Sequence, residues 1–462
     1  MRKKIFLSAS AILLLLAMNS CKTAAVDPDA PLQFSTQTVE QQKASIEQSG
    51  LDLADKMNGM KETQAMKVLD FLSGGQMGLN APTLITPLSK LRASLLKNDV
   101  NALDNFNNQM KSAAIPDSIW GTYDFNSNNE DYVFVKGVKN KAVFNFYADS
   151  ISKTKNGTLT IDYVESTVAI PDMDPVQNYP KSLSVVLNVN NTEALNAQFK
   201  GEYQSDGTPT SIEQTLVIGA YNWSTSATNT TTNVATNFTF KYNTQVLLKY
   251  DAGVAGNFTA SQIDAINNNS KGPEDFVSGG FMSFQLMNVA VYGGITDTKG
   301  FMNEGKALKP DSTLITNAYG NYYRYTYGKS YTDKEVSIFN KYLKFYGYFA
   351  DPKEKFADVE FYTAEELGPD YNSPATLVYT QKQGGTAPTL KYDYYYTDYV
   401  YNSTTQNYDI VQKYYVYSTI VNYNIQPRLV LSDGSKITNF DQYANDNFQT
   451  VIDKFNSMLP KK

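Results

Sequence analysis

Phe238-Thr239-Phe240-Lys241-Tyr242-Asn243-Thr244-Gln245-Val246-Leu247-Leu248-Lys249-Tyr250 shows the period on which the fold rests. Phe238, Phe240, Tyr242, Val246, Leu248 and Tyr250 fall on one side, and Thr239, Lys241, Asn243, Gln245 and Lys249 fall on the other. A period of two predicts strands with one face on a core and one in water. Outward from it the pattern repeats: Leu183, Val185, Leu187 and Val189 alternate with Ser182, Ser184, Val186 and Asn188, and Leu195, Ala197, Phe199 and Tyr203 alternate with Asn196, Gln198, Lys200 and Glu202. Asp206-Gly207 and Asp433-Gly434 supply the positive φ that hairpin turns need. Loops this short cannot hold crossover helices, so the sheet is expected to be mainly antiparallel. The Ser/Thr/Asn/Ala run from Ser224 to Thr236 reads as an exposed loop.

Before Pro116 the period is near 3.6. Val39, Ile46, Leu53 and Met60 recur every seven residues with Met57 beside them, although Gly50 and Gly59 weaken continuity. Ala65, Met66, Leu69 and Leu72 predict a second helix ended by Gly74 and Gly75. Thr86-Pro87 opens a third with Leu88, Leu91, Leu95 and Leu96, and Val100, Leu103, Phe106 and Met110 make a fourth. Gly293 to Pro310 reads as a connection with a soft boundary near 310. Beyond it, Thr332 to Glu335 forms a capping box expected to open a helix through Val336, Phe339, Leu343 and Tyr346. A turn over Asp351 to Lys355 leads to a strand at Ala357 to Tyr362. Tyrosine-rich strands are expected at Leu390 to Tyr401 and Tyr408 to Tyr417, then a strand at Arg428 to Leu431. The last element is a helix from Phe440 to Leu459 with Phe448, Val451, Ile452 and Phe455 inward. The expected class is α+β: a helical N-terminal layer packed on long, mainly antiparallel β-sheets, whose curvature the pattern leaves open, with a C-terminal helix. The expected organisation is 1–20 signal, 21–35 tether, 36–310 helical layer with antiparallel sheet, and 311–462 a second α+β domain.

Composition narrows the chemistry. The chain has 462 residues, 42% apolar and 19% charged, which is globular and long enough for more than one packing unit. It has no histidine and one cysteine, so histidine metal sites, imidazole catalysis, internal disulfides and thiol redox pairs cannot be built from it. The net charge is −6 with no basic stripe, which argues against nucleic acid as a partner.

Arg2, Lys3 and Lys4 precede an apolar run from Ile5 to Met18, and Met18-Asn19-Ser20 lead to the single thiol, Cys21. This reads as an export signal whose apolar run is too short to span a membrane. It resembles the lipobox of bacterial lipoproteins, with Ser20 and Cys21 in place, Met18 where that family prefers Leu, Val or Ile, and Asn19 where it prefers a small residue. The resemblance implies cleavage before Cys21 and acylation of that residue, with the membrane as partner through the lipid anchor. Lys22, in place of the aspartate that retains some enterobacterial lipoproteins at the inner membrane, implies an outer-membrane location. Without Arg2, Lys3 and Lys4 the charge passes from −6 to −9. The wealth of Tyr, Asn, Lys and Thr is similar to that of Bacteroidota envelope lipoproteins. Only Asp27 and Asp29 follow the cysteine where surface-exported members often carry an acidic run, so periplasmic and cell-surface exposure both stay open.

Other motifs carry less. Asp124, Asn126, Asn128 and Glu130 alternate like the start of a calcium loop, but Asn129 and Val135 stand where Gly and Glu are needed, so a hairpin is expected. Ser150-x-x-Lys153 resembles the dyad of penicillin-recognising enzymes, yet Lys-Thr-Gly is absent and a turn is expected. Phe71-Leu72-Ser73-Gly74-Gly75 and Phe276-Val277-Ser278-Gly279-Gly280 read as a helix-ending turn used twice. Ser118, Ser150 and Ser312 each follow an aspartate in a pattern resembling the O-glycosylation acceptor of Bacteroidota envelope proteins. The dense tyrosines Tyr392, Tyr394, Tyr396 and Tyr399 are the candidate ligand-binding group, since tyrosine offers a flat apolar face with a polar tip. No metal site and no cofactor is called for. The favoured reading is a non-enzymatic binding or structural module anchored by lipid, with a glycan or another envelope protein as partner. Two alternatives are a glycan-binding accessory of a nutrient-uptake system and a half-barrel carrier of lipid or another apolar ligand, while a carboxylate-dependent hydrolase ranks behind them.

Overall fold

Alternation along the chain becomes a run of hairpins, because each strand offers an apolar face that only a neighbour in register can extend. In the computed structural model the described residues are 32–71, 120–129, 131–149, 151, 154–170, 178–259, 273–309, 311–317, 320–326, 328–369, 375–382, 394–417 and 419–458. The strands are β1 (Gly121–Asn126), β2 (Asp131–Lys136), β3 (Lys141–Phe146), β4 (Gly157–Ala169), β5 (Asn178–Val189), β6 (Thr192–Tyr203), β7 (Pro209–Ile218), β8 (Tyr221–Thr230), β9 (Asn233–Tyr242), β10 (Gln245–Gly256), β11 (Val277–Leu286), β12 (Val289–Ile295), β13 (Asp311–Asn317), β14 (Gly320–Thr326), β15 (Leu343–Ala350), β16 (Lys353–Pro369), β17 (Thr376–Lys382), β18 (Tyr394–Asn402), β19 (Asn407–Val416), β20 (Thr419–Leu431) and β21 (Lys436–Ile437). The helices are α1 (Val39–Asn58), α2 (Gln64–Phe71), α3 (Thr298–Ala307), α4 (Lys329–Tyr342) and α5 (Phe440–Met458). The fold is α+β and sheet-dominated, with a helix at each end of the described chain.

The large sheet runs β2-β1-β3-β4-β5-β6-β7-β8-β9-β10-β11-β12-β15-β16-β20-β21. From β3 to β12 every neighbour is antiparallel, while β1 and β3 pair in parallel. Gly207 and Gly434 take φ of +85° and +81° in the two expected turns. The chain divides into two compact units: the first holds residues up to 302, 342–359 and 429–462, the second 303–341 and 360–428.

In the first unit, Leu183, Val185, Leu187 and Val189 are buried, as are Leu195, Ala197 and Phe199 on the next strand. They join Phe144, Ile161, Leu216 and Ile218 in one cluster with Ala65, Met66 and Val68 of α2. Each such fully buried Leu or Phe contributes about 1.5–3 kcal/mol. Farther along the same face Leu53 of α1 meets Tyr221, Phe240 and Leu247, and Val39 meets Ala357 and Leu431. The heptad stripe of α1 therefore crosses the sheet. Thr38 and Gln41 cap this helix reciprocally, Thr38 N–H donating to Gln41 Oε1 at 2.9 Å and Gln41 N–H to Thr38 Oγ1 at 3.3 Å. The helix passes through Gly50 unbroken and stops at Gly59, whose N–H donates to the carbonyls of Lys56 and Met57.

Several expectations are corrected. Ser224 to Thr236 is not a loop: Ser224–Thr230 lies in β8 and Asn233–Thr236 in β9, with only Thr231 and Thr232 turning between them. Flanking strands β7 and β10 satisfy the backbone, and β-branched threonine suits a pleated surface. Gly279 and Gly280 lie within β11 rather than ending a helix; a Cβ on Gly279 would stand 2.8 Å from the Ile295 carbonyl oxygen, so the missing side chain permits close strand approach. Residues 298–307 form α3 inside the expected connection. Thr332 does not cap: α4 starts three residues earlier and its hydroxyl donates to the Gly328 carbonyl at 3.5 Å. Leu343 and Tyr346 belong to β15, which follows α4 directly because β12 supplies its pairing edge. Val246 is not on the face of Leu248, because β10 bulges between them. The third and fourth expected helices lie outside the described residues.

Candidate functional site

The tyrosine-rich region forms a three-stranded sheet, β17-β19-β18, within the second unit. Alternation splits its tyrosines between two faces. Tyr394, Tyr396 and Asp398 stand opposite Tyr415, Lys413 and Val411, whereas Tyr395, Tyr399 and Tyr401 stand opposite Tyr414, Ile410 and Tyr408. Tyr396 and Tyr399 differ by an odd number and so cannot serve one ligand face. Tyr392 lies outside the described residues, and Tyr394 is placed by its backbone alone.

The first face is closed on itself. Tyr396 stacks on Tyr415 with ring centroids 5.3 Å apart, and their hydroxyls are 2.9 Å apart. Lys413 pairs with Asp398 and sits 5.9 Å from the Tyr396 ring centroid. The Lys413 hydrogen bond, followed by the Tyr399 backbone N–H, holds the Asp398 carboxyl below its ordinary value, and Asp398 in turn raises Lys413.

The second face is buried at Tyr414, against which Tyr379 and Tyr395 pack, and open toward the hairpin. Tyr399 is 65% exposed, Tyr408 62% and Tyr401 56%. Tyr401 and Tyr408 meet edge to face at 5.4 Å, an arrangement that leaves ring surface free. Tyr399 makes no ring contact among the described residues, and Gln412 and Thr397 pair beside it. Asn402 on the hairpin donates to Asp409 at 2.8 Å and accepts from Thr404 N–H at 3.0 Å, fixing the tip.

A different surface escaped the sequence reading. In the first unit a groove of about 300 Å³ lies between α1, α5 and the sheet, lined by Ile46, Gly50, Phe284, Leu286, Val289, Val291, Phe448 and Val451, all apolar. Its signal was the alternation Phe284/Leu286 and Val289/Val291 on either side of Met287-Asn288, which says that these residues share a face but not that helices leave part of that face uncovered.

The remaining sites resolve as follows. Asp124 and Asn126 belong to the β1–β2 hairpin, where Asn126 Oδ1 accepts from Asn128 N–H at 3.0 Å and Asp124 Oδ1 accepts from Asn145 at 3.0 Å. Among the described residues no cluster of three acidic or cysteine side chains could hold a metal. Ser312 lies in β13 opposite Tyr325. Cys21, Ser118, Ser150, Ser152, Lys153 and Glu130 lie outside the described residues. No family model, curated protein or solved structure matches the chain.

Proposed function

We propose that this protein is a lipid-anchored lipoprotein of the bacterial outer membrane, tethered through Cys21, and that it acts as a non-enzymatic binding module. Its recognition surface is the face carrying Tyr399, Tyr401 and Tyr408, and its partner is a glycan. The observation that carries this reading is the open ring of Tyr399, 65% exposed beside two further exposed tyrosines. Sugar rings pack their C–H faces on uncovered aromatic faces, while the phenol and neighbouring amides bond hydroxyls. Affinity electrophoresis of the purified chain through gels containing neutral polysaccharides tests it. Retardation is expected for the parent and for Tyr396→Phe, and its loss for Tyr399→Ala. A Tyr399→Ala variant retarded like the parent contradicts the reading.

The apolar groove favours a second reading, a carrier of lipid or another apolar ligand, because a pocket walled by eight apolar residues offers no group to orient a polar one. Native mass spectrometry with a bound apolar molecule, lost on Val291→Lys, would favour it over the glycan reading.

A further inference from the structure

The face of the large sheet opposite α1 holds a concavity of about 660 Å³, beside the β9–β10, β11–β12 and β15–β16 turns. It adjoins a bulge in β10. Val246 pairs with Lys241 and Leu248 with Phe240, so Leu247 is the extra residue. Leu247 is wholly buried, clustered with Leu53, Tyr221 and Phe240 on the side that packs on α1. Val246, which pairs with Lys241, stays on the opposite side and lines the concavity with Ala350.

The rim is held in place before any ligand arrives. Asn288 Nδ2 donates to the Asp351 carbonyl at 2.8 Å and Asn288 Oδ1 accepts from Asp351 N–H at 2.7 Å, locking two turns together. Gln285 Nε2 donates to the Met287 carbonyl at 2.7 Å, which orients its Oε1 as an acceptor. Lys249 is neutralised by Asp251 at 2.7 Å. Lys241 makes no ion pair among the described residues, so it is the uncommitted cation of the concavity. Val246, Met287 and Ala350 give an apolar patch, the amides are fixed, and the charged groups left in the lining are Lys241 and the acidic Asp351. An ammonium for a carboxylate and a carboxylate for hydroxyls match a sugar ring that carries hydroxyls and a single carboxylate.

We propose that this concavity binds an acidic sugar, a uronic acid unit, with Lys241 as the partner of its carboxylate. The site lies in the first unit and does not depend on Tyr399. Equilibrium binding of the purified chain is measured with three probes: an oligouronate, a neutral oligosaccharide of equal length, and inorganic phosphate. The oligouronate is expected to bind saturably and best. Lys241→Gln should weaken it about tenfold or more, Lys241→Arg should retain most of the affinity, and the same ratios should hold in a Tyr399→Ala background. Thermal melting of each variant confirms that the fold is kept. The proposal is overturned if no probe binds, if in the Tyr399→Ala background phosphate or the neutral oligosaccharide binds as well as the oligouronate, or if Lys241→Gln binds like the parent. Loss through Tyr399→Ala with Lys241→Gln unaffected would assign the acidic sugar to the tyrosine face and also overturn it.

Discussion

Gly50 of α1 and Val451 of α5 are fitted to each other: a Cβ on Gly50 would stand 2.6 Å from Cγ1 of Val451. This contact explains why a glycine sits in the middle of a twenty-residue helix, where it costs about 1 kcal/mol relative to alanine. Gly50→Leu should destabilise the chain by about 1–3 kcal/mol through overpacking. Part of that loss should return in the Val451→Ala background, measured by chemical denaturation of the four members of the cycle. Additive losses would mean that the two positions are not coupled.

Leu247 is the extra residue at the β10 bulge, and it is wholly buried in the core. Leu247→Ala should cost about 2–5 kcal/mol, as for a fully buried leucine. A loss below about 1 kcal/mol in denaturant would show that the side chain is not packed against Leu53 and Tyr221.

Tyr203 and Tyr163 give the protein a limit in alkali. Burial pushes both phenols up to about 12, with Tyr163 and Tyr179 adding to the effect on Tyr203 and Glu165 to that on Tyr163. The Tyr203 hydroxyl is buried without a hydrogen-bond partner. Because the folded-state values lie above the unfolded value of 10.0, this contribution is complete below pH 10 and is lost as pH rises through about 12. Stability measured by urea denaturation should therefore fall between those values, and absorbance near 295 nm should show a late-titrating class of tyrosines. A single class titrating near 10 would remove the basis for this prediction.

The Tyr396–Tyr415 hydroxyl contact at 2.9 Å is exposed. Tyr396→Phe should cost no more than about 1 kcal/mol and leave polysaccharide retardation intact. Loss of retardation would move the ligand to the closed face.

Much of the fold was legible because alternation depends only on neighbours in sequence. Leu183 to Val189 and Leu195 to Phe199 turned inward as their period requires. What failed depended on distant partners. The polar run Ser224 to Thr230 is a strand because β7 and β9 flank it, and Val246 changes face because of a bulge that leaves no mark in the local pattern. The tyrosine strands were readable, and parity already separated Tyr396 from Tyr399. Which face stays open was not readable, since it depends on Tyr415 closing one ring and nothing closing the other among the described residues.

The central claim is that Cys21 is acylated and holds the body at the membrane. Acyl chains contribute about 0.8 kcal/mol per buried methylene, so two or three of them anchor a protein that one would release. The decisive measurement is fractionation of cells producing the parent and Cys21→Ser, with intact mass determined for each. The parent should sediment with outer membranes and carry acyl mass on a chain beginning at Cys21, and the variant should move to the soluble fraction without it. A Cys21→Ser protein that still sediments with the membranes, or a parent without acyl mass, would contradict the account.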